Sequence, residues 1–175
     1  MRTYITIIVF YLFQGTVYAQ NTIEATLKKF NKNTVGYISV AALLVDSTAV
    51  LLDTRKKEEF EVSHLQNAHW VGYQKFDIDQ TISNIPDKDT PIVVYCSVGV
   101  RSEDIGEKLI QASYTNVKNL YGGIFAWKNQ GNPVFDANGN KTEKVHAFSK
   151  HWGKLLTNAQ NIYTTKSKKL EKTVH

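Results

Sequence analysis

Ile92-Val93-Val94-Tyr95-Cys96-Ser97-Val98-Gly99-Val100-Arg101-Ser102 decides how this chain folds, and it holds the only cysteine in 175 residues. The apolar, β-branched run Ile92 to Tyr95, bounded by Pro91, predicts a buried strand. From Ser102 to Ala112, apolar residues at Ile105, Leu109 and Ile110 keep a helical spacing, and Ser102 is the expected cap. Cys96 therefore falls where a strand ends and a helix begins. A tight loop at such a junction turns successive N–H groups inward, and the helix dipole adds positive potential. Both favour a thiolate. An ordinary thiol, with a pKa of about 8.5, is roughly one-tenth ionised near pH 7.5. Lowering it by about 1.5 units takes roughly 2 kcal/mol and makes the anion the major form. The competing reading is a small, inert core cysteine at a strand end.

The segments on either side alternate strand and helix. Thr22 to Phe30 reads as a short amphipathic helix, Tyr37 to Ser39 as a strand, and Ser39 as the cap of a helix through Leu44. Val50 to Asp53 is a second buried strand, Lys56 to Val62 a helix, Ala68 to Val71 a strand, and Asp77 to Asn84 a helix ended by Pro86. After the cysteine loop and its helix come a strand at Val117 to Leu120 and a helix from Ile124 to Asn129. Such alternation predicts an α/β fold with a mostly parallel central sheet flanked by helices on both faces. Ligands in these folds bind beyond the carboxyl ends of the strands, which is where Cys96 lies.

Loop length narrows the chemistry. Four residues separate Cys96 from Arg101. Cysteine-dependent phosphatases need one residue more between the same two, to ring a phosphate with amides. The shorter loop suits a single sulfur atom carried on the cysteine better than a tetrahedral phosphoryl group. At this point the chain resembles the single-domain rhodanese-like sulfurtransferase family. Cys96-Ser97-Val98-Gly99-Val100-Arg101 is similar to that family's active-site loop. Leu51-Leu52-Asp53-Thr54-Arg55, then Glu58-Glu59-Phe60, His64-Leu65 and Ala68, resemble its upstream motif. Gly122-Gly123-Ile124 with Trp127 resembles its double-glycine and tryptophan segment. Ser63, Gln66 and Asn67 depart from the family's glycine, proline and glycine around His64-Leu65. These are turn positions, and Asn67 tolerates a left-handed backbone.

The resemblance implies a rhodanese-like fold and a double-displacement sulfur transfer. Cys96 would take a sulfane sulfur from thiosulfate or a persulfide-type donor, and a thiophilic acceptor, a thiol or cyanide, would remove it. Amides from Ser97, Val98, Gly99, Val100 and Arg101 would cradle the persulfide anion, and Arg101 would close the loop and hold an anionic donor. Asp53, Arg55 and Ser102 would support the site, and His64 would be structural. Val98 and Val100 add no cation to the rim, so a thiol-based or protein donor gains ground over a small anion. The alternative from another class is a non-catalytic sulfur carrier or protein-binding module. No cofactor or metal is expected: one cysteine is already used, His146 and His151 lack ligand spacing, and no phosphate-cradling glycine loop is present.

The net charge of +5 is uneven. Residues 141–175 hold eight lysines against Glu143 and Glu171, a net +6, so residues 1–140 carry −1. The bland expectation for that segment is a solvated, partly frayed end, with Trp152, Leu155 and Leu156 as candidates for packing back onto the core; the functional one is contact with an acidic partner or membrane surface. Nucleic acid is not expected as a partner, because no aromatic platform accompanies the lysines. Arg2, the apolar run from Ile5 to Phe13, and Val17-Tyr18-Ala19 have the form of a signal peptide cut after Ala19. A periplasmic or secreted location follows, with no transmembrane segment in the mature chain. The expected organisation is a signal peptide at 1–19, a helical extension at 20–34, a rhodanese-like domain at 35–131 and a basic extension at 132–175.

Overall fold

The computed structural model describes residues 22–164; the expected signal peptide and the last eleven residues lie outside them. The chain runs α1 (Ile23–Phe30), β1 (Tyr37–Ile38), α2 (Val40–Val45), β2 (Val50–Asp53), α3 (Lys57–Val62), β3 (His69–Trp70) and α4 (Ile78–Asn84). It continues with β4 (Ile92–Tyr95), α5 (Val100–Gln111), β5 (Val117–Leu120) and α6 (Gly123–Asn129). Three helices are capped by a polar side chain, Ser39 as expected and Thr22 and Asp77 at the starts of the stretches read as helical. Thr22, Ser39 and Asp77 accept, through their side chains, the N–H groups of Ala25, Ala42 and Gln80.

The central sheet has five parallel strands in the order β1-β5-β4-β2-β3. β4 lies in its middle, and all four of its residues are buried, because helices cover both faces. Ile92 and Val94 face a cluster with Val35, Leu52, Ile105, Leu109 and Val117. Val93 and Tyr95 face the other cluster, with Leu65, Leu120, Ile124 and Phe125. The strand is therefore pinned from two sides, and its carboxyl end, which carries Cys96, has little freedom.

Within the described residues, the extension from 132 to 164 packs back onto the core through Leu155, Leu156 and Trp152, as those residues suggested, rather than forming the solvated, partly frayed end expected from its charge. β6 (Val134–Phe135) pairs with β7 (Lys141–Thr142), and β8 (Lys144–His146) pairs with β9 (Gln160–Ile162), with a 3-10 turn at Trp152–Leu155 between them. Val134, Val145, Ala147, Leu155 and Leu156 are buried in the same cluster as Val93 and Tyr95. Each such aliphatic side chain contributes about 1.5–3 kcal/mol on burial. Lys141, Lys144, Lys150 and Lys154 are exposed, and Glu143 pairs with Lys128 of α6 at 2.7 Å. Net charge described the surface of this segment and said nothing of its apolar positions.

Candidate active site

Cys96 sits at the first position beyond β4, and the loop that follows wraps its sulfur. The carbonyls of Cys96 and Ser97 accept the N–H groups of Ile124 and Phe125, both at 3.0 Å, at the start of α6. With those carbonyls drawn to one side, the succeeding amides turn to the other. Gly99 takes a left-handed conformation at φ 107° and caps α5, and its N–H reaches Cys96 Sγ at 3.2 Å. The Gly99 carbonyl is held in turn by Asn119 Nδ2 at 2.8 Å and Asn31 Nδ2 at 2.9 Å. Gly123 makes the close approach feasible. A Cβ there would collide with the Cys96 carbonyl oxygen and the Ser97 backbone.

Ser102 does not cap α5 as its spacing suggested. The helix begins two residues earlier, at Val100, because the glycine's left-handed turn lets it start immediately after the loop. Ser102 lies wholly buried in the first turn, donating to Asn119 Oδ1 at 2.8 Å. Its hydroxyl has one proton, so it serves either Asn119 or the sulfur, and an ionised sulfur is the stronger acceptor.

Burial pushes the Cys96 thiol up. The Arg101 charge, the Ser102 hydroxyl, and the N–H groups of Ser102 and Gly99 together outweigh it, so the thiol lies below its ordinary value. This arrangement suits a nucleophile and does not suit an inert core cysteine.

Arg101 is less free than expected. Its Nη1 donates to Glu59 Oε2 at 2.9 Å, and its Nη2 donates to Glu59 Oε1 at 3.0 Å and to Ser97 Oγ at 3.1 Å. Glu59 is fully buried, on α3, and also accepts the Lys56 N–H at 3.0 Å. Burial raises its carboxyl, but the Arg101 bond and charge, the Arg55 charge and the Lys56 amide outweigh this and hold it below the usual carboxylate range. The bidentate pair fixes the guanidinium over the loop. It leaves the expected donor-holding role of Arg101 without a free pair of Nη groups.

Cys96, Ser97, Val98, Val100 and Arg101 line one pocket of 140 Å³, completed by Phe148 and Trp152 from the extension. Asp53 and Arg55 are not in that lining. They form a wholly buried pair: Asp53 accepts Arg55 Nε at 3.0 Å, Nη2 at 2.6 Å and the Arg55 amide at 2.9 Å. Arg55 Nη2 also binds the Ser63 carbonyl at 2.6 Å, tying β2 to the end of α3. His64 stacks on Phe60 at 3.9 Å and stands outside the pocket. Asn67 does take the left-handed backbone, at φ 59°.

Sequence reasoning missed Asn31, Asn119 and Phe148, and gave Glu59 no role. Glu59 belonged to a quoted motif, but its partner lies 42 positions away. Asn119 carried one usable signal: in Val117-Lys118-Asn119-Leu120 it alternates onto the same face as buried Val117, opposite exposed Lys118.

The loop, its cysteine and the parallel sheet define a class of protein that the comparisons identify. The chain belongs to the rhodanese-like family, whose Rhodanese-like domain matches residues 38–130. Thiosulfate sulfurtransferase GlpE of Coxiella burnetii is 29% identical over 106 residues, spanning 61% of this chain and 95% of that protein. Thiosulfate sulfurtransferase GlpE of Actinobacillus succinogenes is 33% identical over 99 residues, spanning 57% and 86% respectively. A rhodanese-related protein from Thermoplasma volcanium superposes with a TM-score of 0.50 at 26% identity, over 57% of this chain and 96% of its own.

Proposed function

We propose that this protein is a sulfurtransferase that carries a sulfane sulfur on Cys96 from a thiosulfate or persulfide-type donor to a thiophilic acceptor. The observation that carries the reading is the lowered Cys96 thiol, set against the Gly99 N–H beneath a small pocket. The thiolate attacks the outer sulfur of the donor, the donor's S–S bond breaks, and its remaining sulfur leaves with the electron pair. Cys96-S-SH then meets an acceptor thiol or cyanide, which takes the outer sulfur and restores the thiolate. Loop amides and the Arg101 charge stabilise the thiolate that attacks and that discharge restores, and Asp53, Arg55 and Ser102 support the loop's position. The sulfurtransferase names of the relatives support the reaction class.

A sulfur-carrier reading draws on the depth of Cys96, whose residue is only 1% exposed. Mass spectrometry of the intact protein, with thiosulfate or an organic persulfide followed by cyanide, separates the two. Sulfur transfer predicts a species one sulfur heavier, discharged by cyanide and absent in Cys96→Ser. A persistent adduct selects the carrier, and no adduct with any donor refutes both. The leader-like residues Arg2 to Ala19 support a periplasmic or secreted location.

A further inference from the structure

We infer that Phe148 and Trp152 make this site selective for an organic persulfide over thiosulfate, with the donor's carboxylates lodged in the lysine-lined cleft next to them. The inference rests on the sulfur-transfer reading above. Both aromatics come from the segment after the family-matched residues, and both wall the 140 Å³ pocket over Cys96. Phe148 is held there against its backbone preference, at φ 61°, a conformation that costs a non-glycine residue about 1–2 kcal/mol. Its N–H is fixed by His146 Nδ1 at 3.1 Å, and its ring lies 5.0 Å from the Arg101 guanidinium carbon. Trp152 is backed by Phe30 of α1, ring centroids 6.2 Å apart.

The remaining walls include Val98 and Val100, and among the described residues the one charged side chain in the lining is Arg101. Both of its Nη groups already bind Glu59. A thiosulfate dianion would shed water here beside the Cys96 thiolate and find the Arg101 Nη groups already bonded to Glu59, which is unfavourable. A carbon-bearing donor instead gains apolar contact with the two rings.

On the other side of Phe148 opens a cleft of 600 Å³ that shares Arg101 and Phe148 with the pocket. Among the described residues, Lys56, Lys57 and Lys75 line it against a single carboxylate, Glu58. A volume of this order accommodates a tripeptide-sized molecule, and its charge favours carboxylates. The terminal sulfur then lies in the pocket, the carbon body crosses Phe148, and the anionic groups meet the lysines.

The step is balanced. Cys96 thiolate bonds to the outer sulfur of R–S–SH, the R–S–S bond breaks, and RS⁻ leaves with the electron pair. Cys96–S–SH retains the proton, RS⁻ takes another from solvent, and no outside oxidant or reductant is needed.

The test is the rate of Cys96 loading, read by rapid-quench intact mass, with three probes: glutathione persulfide, cysteamine persulfide and thiosulfate. The full chain is expected to load from glutathione persulfide fastest and from thiosulfate at least about tenfold more slowly. Phe148→Ala, at a residue 45% exposed and so replaceable without loss of fold, is expected to narrow that ratio about tenfold, as is Trp152→Ala. Lys57→Glu with Lys75→Glu is expected to reverse the order of the two persulfides. Equal loading from thiosulfate and glutathione persulfide in the unaltered protein, or variants that slow all donors alike, overturns the inference and leaves sulfur transfer standing. Loading from none of the three overturns both.

Discussion

Replacing Arg101 with Met separates the two jobs the structure gives this residue. Glu59 is fully buried and takes two hydrogen bonds from Arg101, while the Arg101 side chain itself is 18% exposed. Removing the guanidinium leaves a buried carboxylate supported by the Lys56 amide, the Ser97 hydroxyl at 3.5 Å and the Arg55 charge. Breaking one side of such a pair costs about 3–5 kcal/mol, and the Lys56 and Arg55 support places the expected loss at about 3 kcal/mol. The second effect falls on Cys96. Burial, the largest influence on its thiol, would be opposed only by the Ser102 hydroxyl and the loop amides. Loss of one nearby positive charge at an effective dielectric of about 20 is worth on the order of 1–2 kcal/mol, or about tenfold in thiolate population. Iodoacetamide alkylation at pH 7 should slow by that factor and recover as pH rises, with urea unfolding giving the stability loss in parallel. The double variant Arg101→Met with Glu59→Gln then divides them: stability returns in large part, because no buried charge is stranded, while alkylation stays slow. Alkylation at the original rate in both variants would refute the electrostatic account of the thiolate.

Gly123→Ala should destabilise the protein by about 2–4 kcal/mol, since its Cβ meets backbone rather than a movable side chain; Gly131→Ala, with open space around it, should cost only about 1 kcal/mol in the same unfolding assay. Because Glu59 is held below its unfolded value of about 4.3, its contribution is complete above that pH and lost as pH falls through the folded value. Glu59→Gln should therefore flatten the acid limb of stability by up to about 1.4 kcal/mol per pH unit, and an unchanged limb in urea titrations from pH 5 to pH 3 would count against the pair.

What the sequence made legible is what local rules govern. β4 is an unbroken apolar run because it is buried on both faces, so its four residues read directly. Thr22, Ser39 and Asp77 announce helix starts because each satisfies an amide three residues on. Ser102 followed the same rule and failed it, since Gly99 supplies the turn through its backbone alone. The bond that fixes Arg101 was not readable, because it joins residues brought together by the sheet. Phe148 was hidden for a different reason. Trp152, Leu155 and Leu156 pointed to this segment packing back onto the core, but Phe148, beside Lys150 and His151, carried no spacing that tied it to Cys96.

The site's electrostatics have a direction, and it bears on why a sulfur once loaded would leave. The donors that favour an anion at Cys96, the Gly99 amide and the first turn of α5, lie beneath or beside its own sulfur. On the proposed reading, loading moves the reactive atom outward by the length of an S–S bond, about 2 Å. There it meets Val98, Phe148 and Trp152 rather than further amides or a free cation. The pocket thus favours an anion at the inner sulfur more than at the outer one. An acceptor that removes the outer sulfur returns the negative charge to the inner position, where the loop stabilises it. The same fixed dipoles that make Cys96 a nucleophile also make it a good leaving group, and so a single loop serves both halves of the exchange.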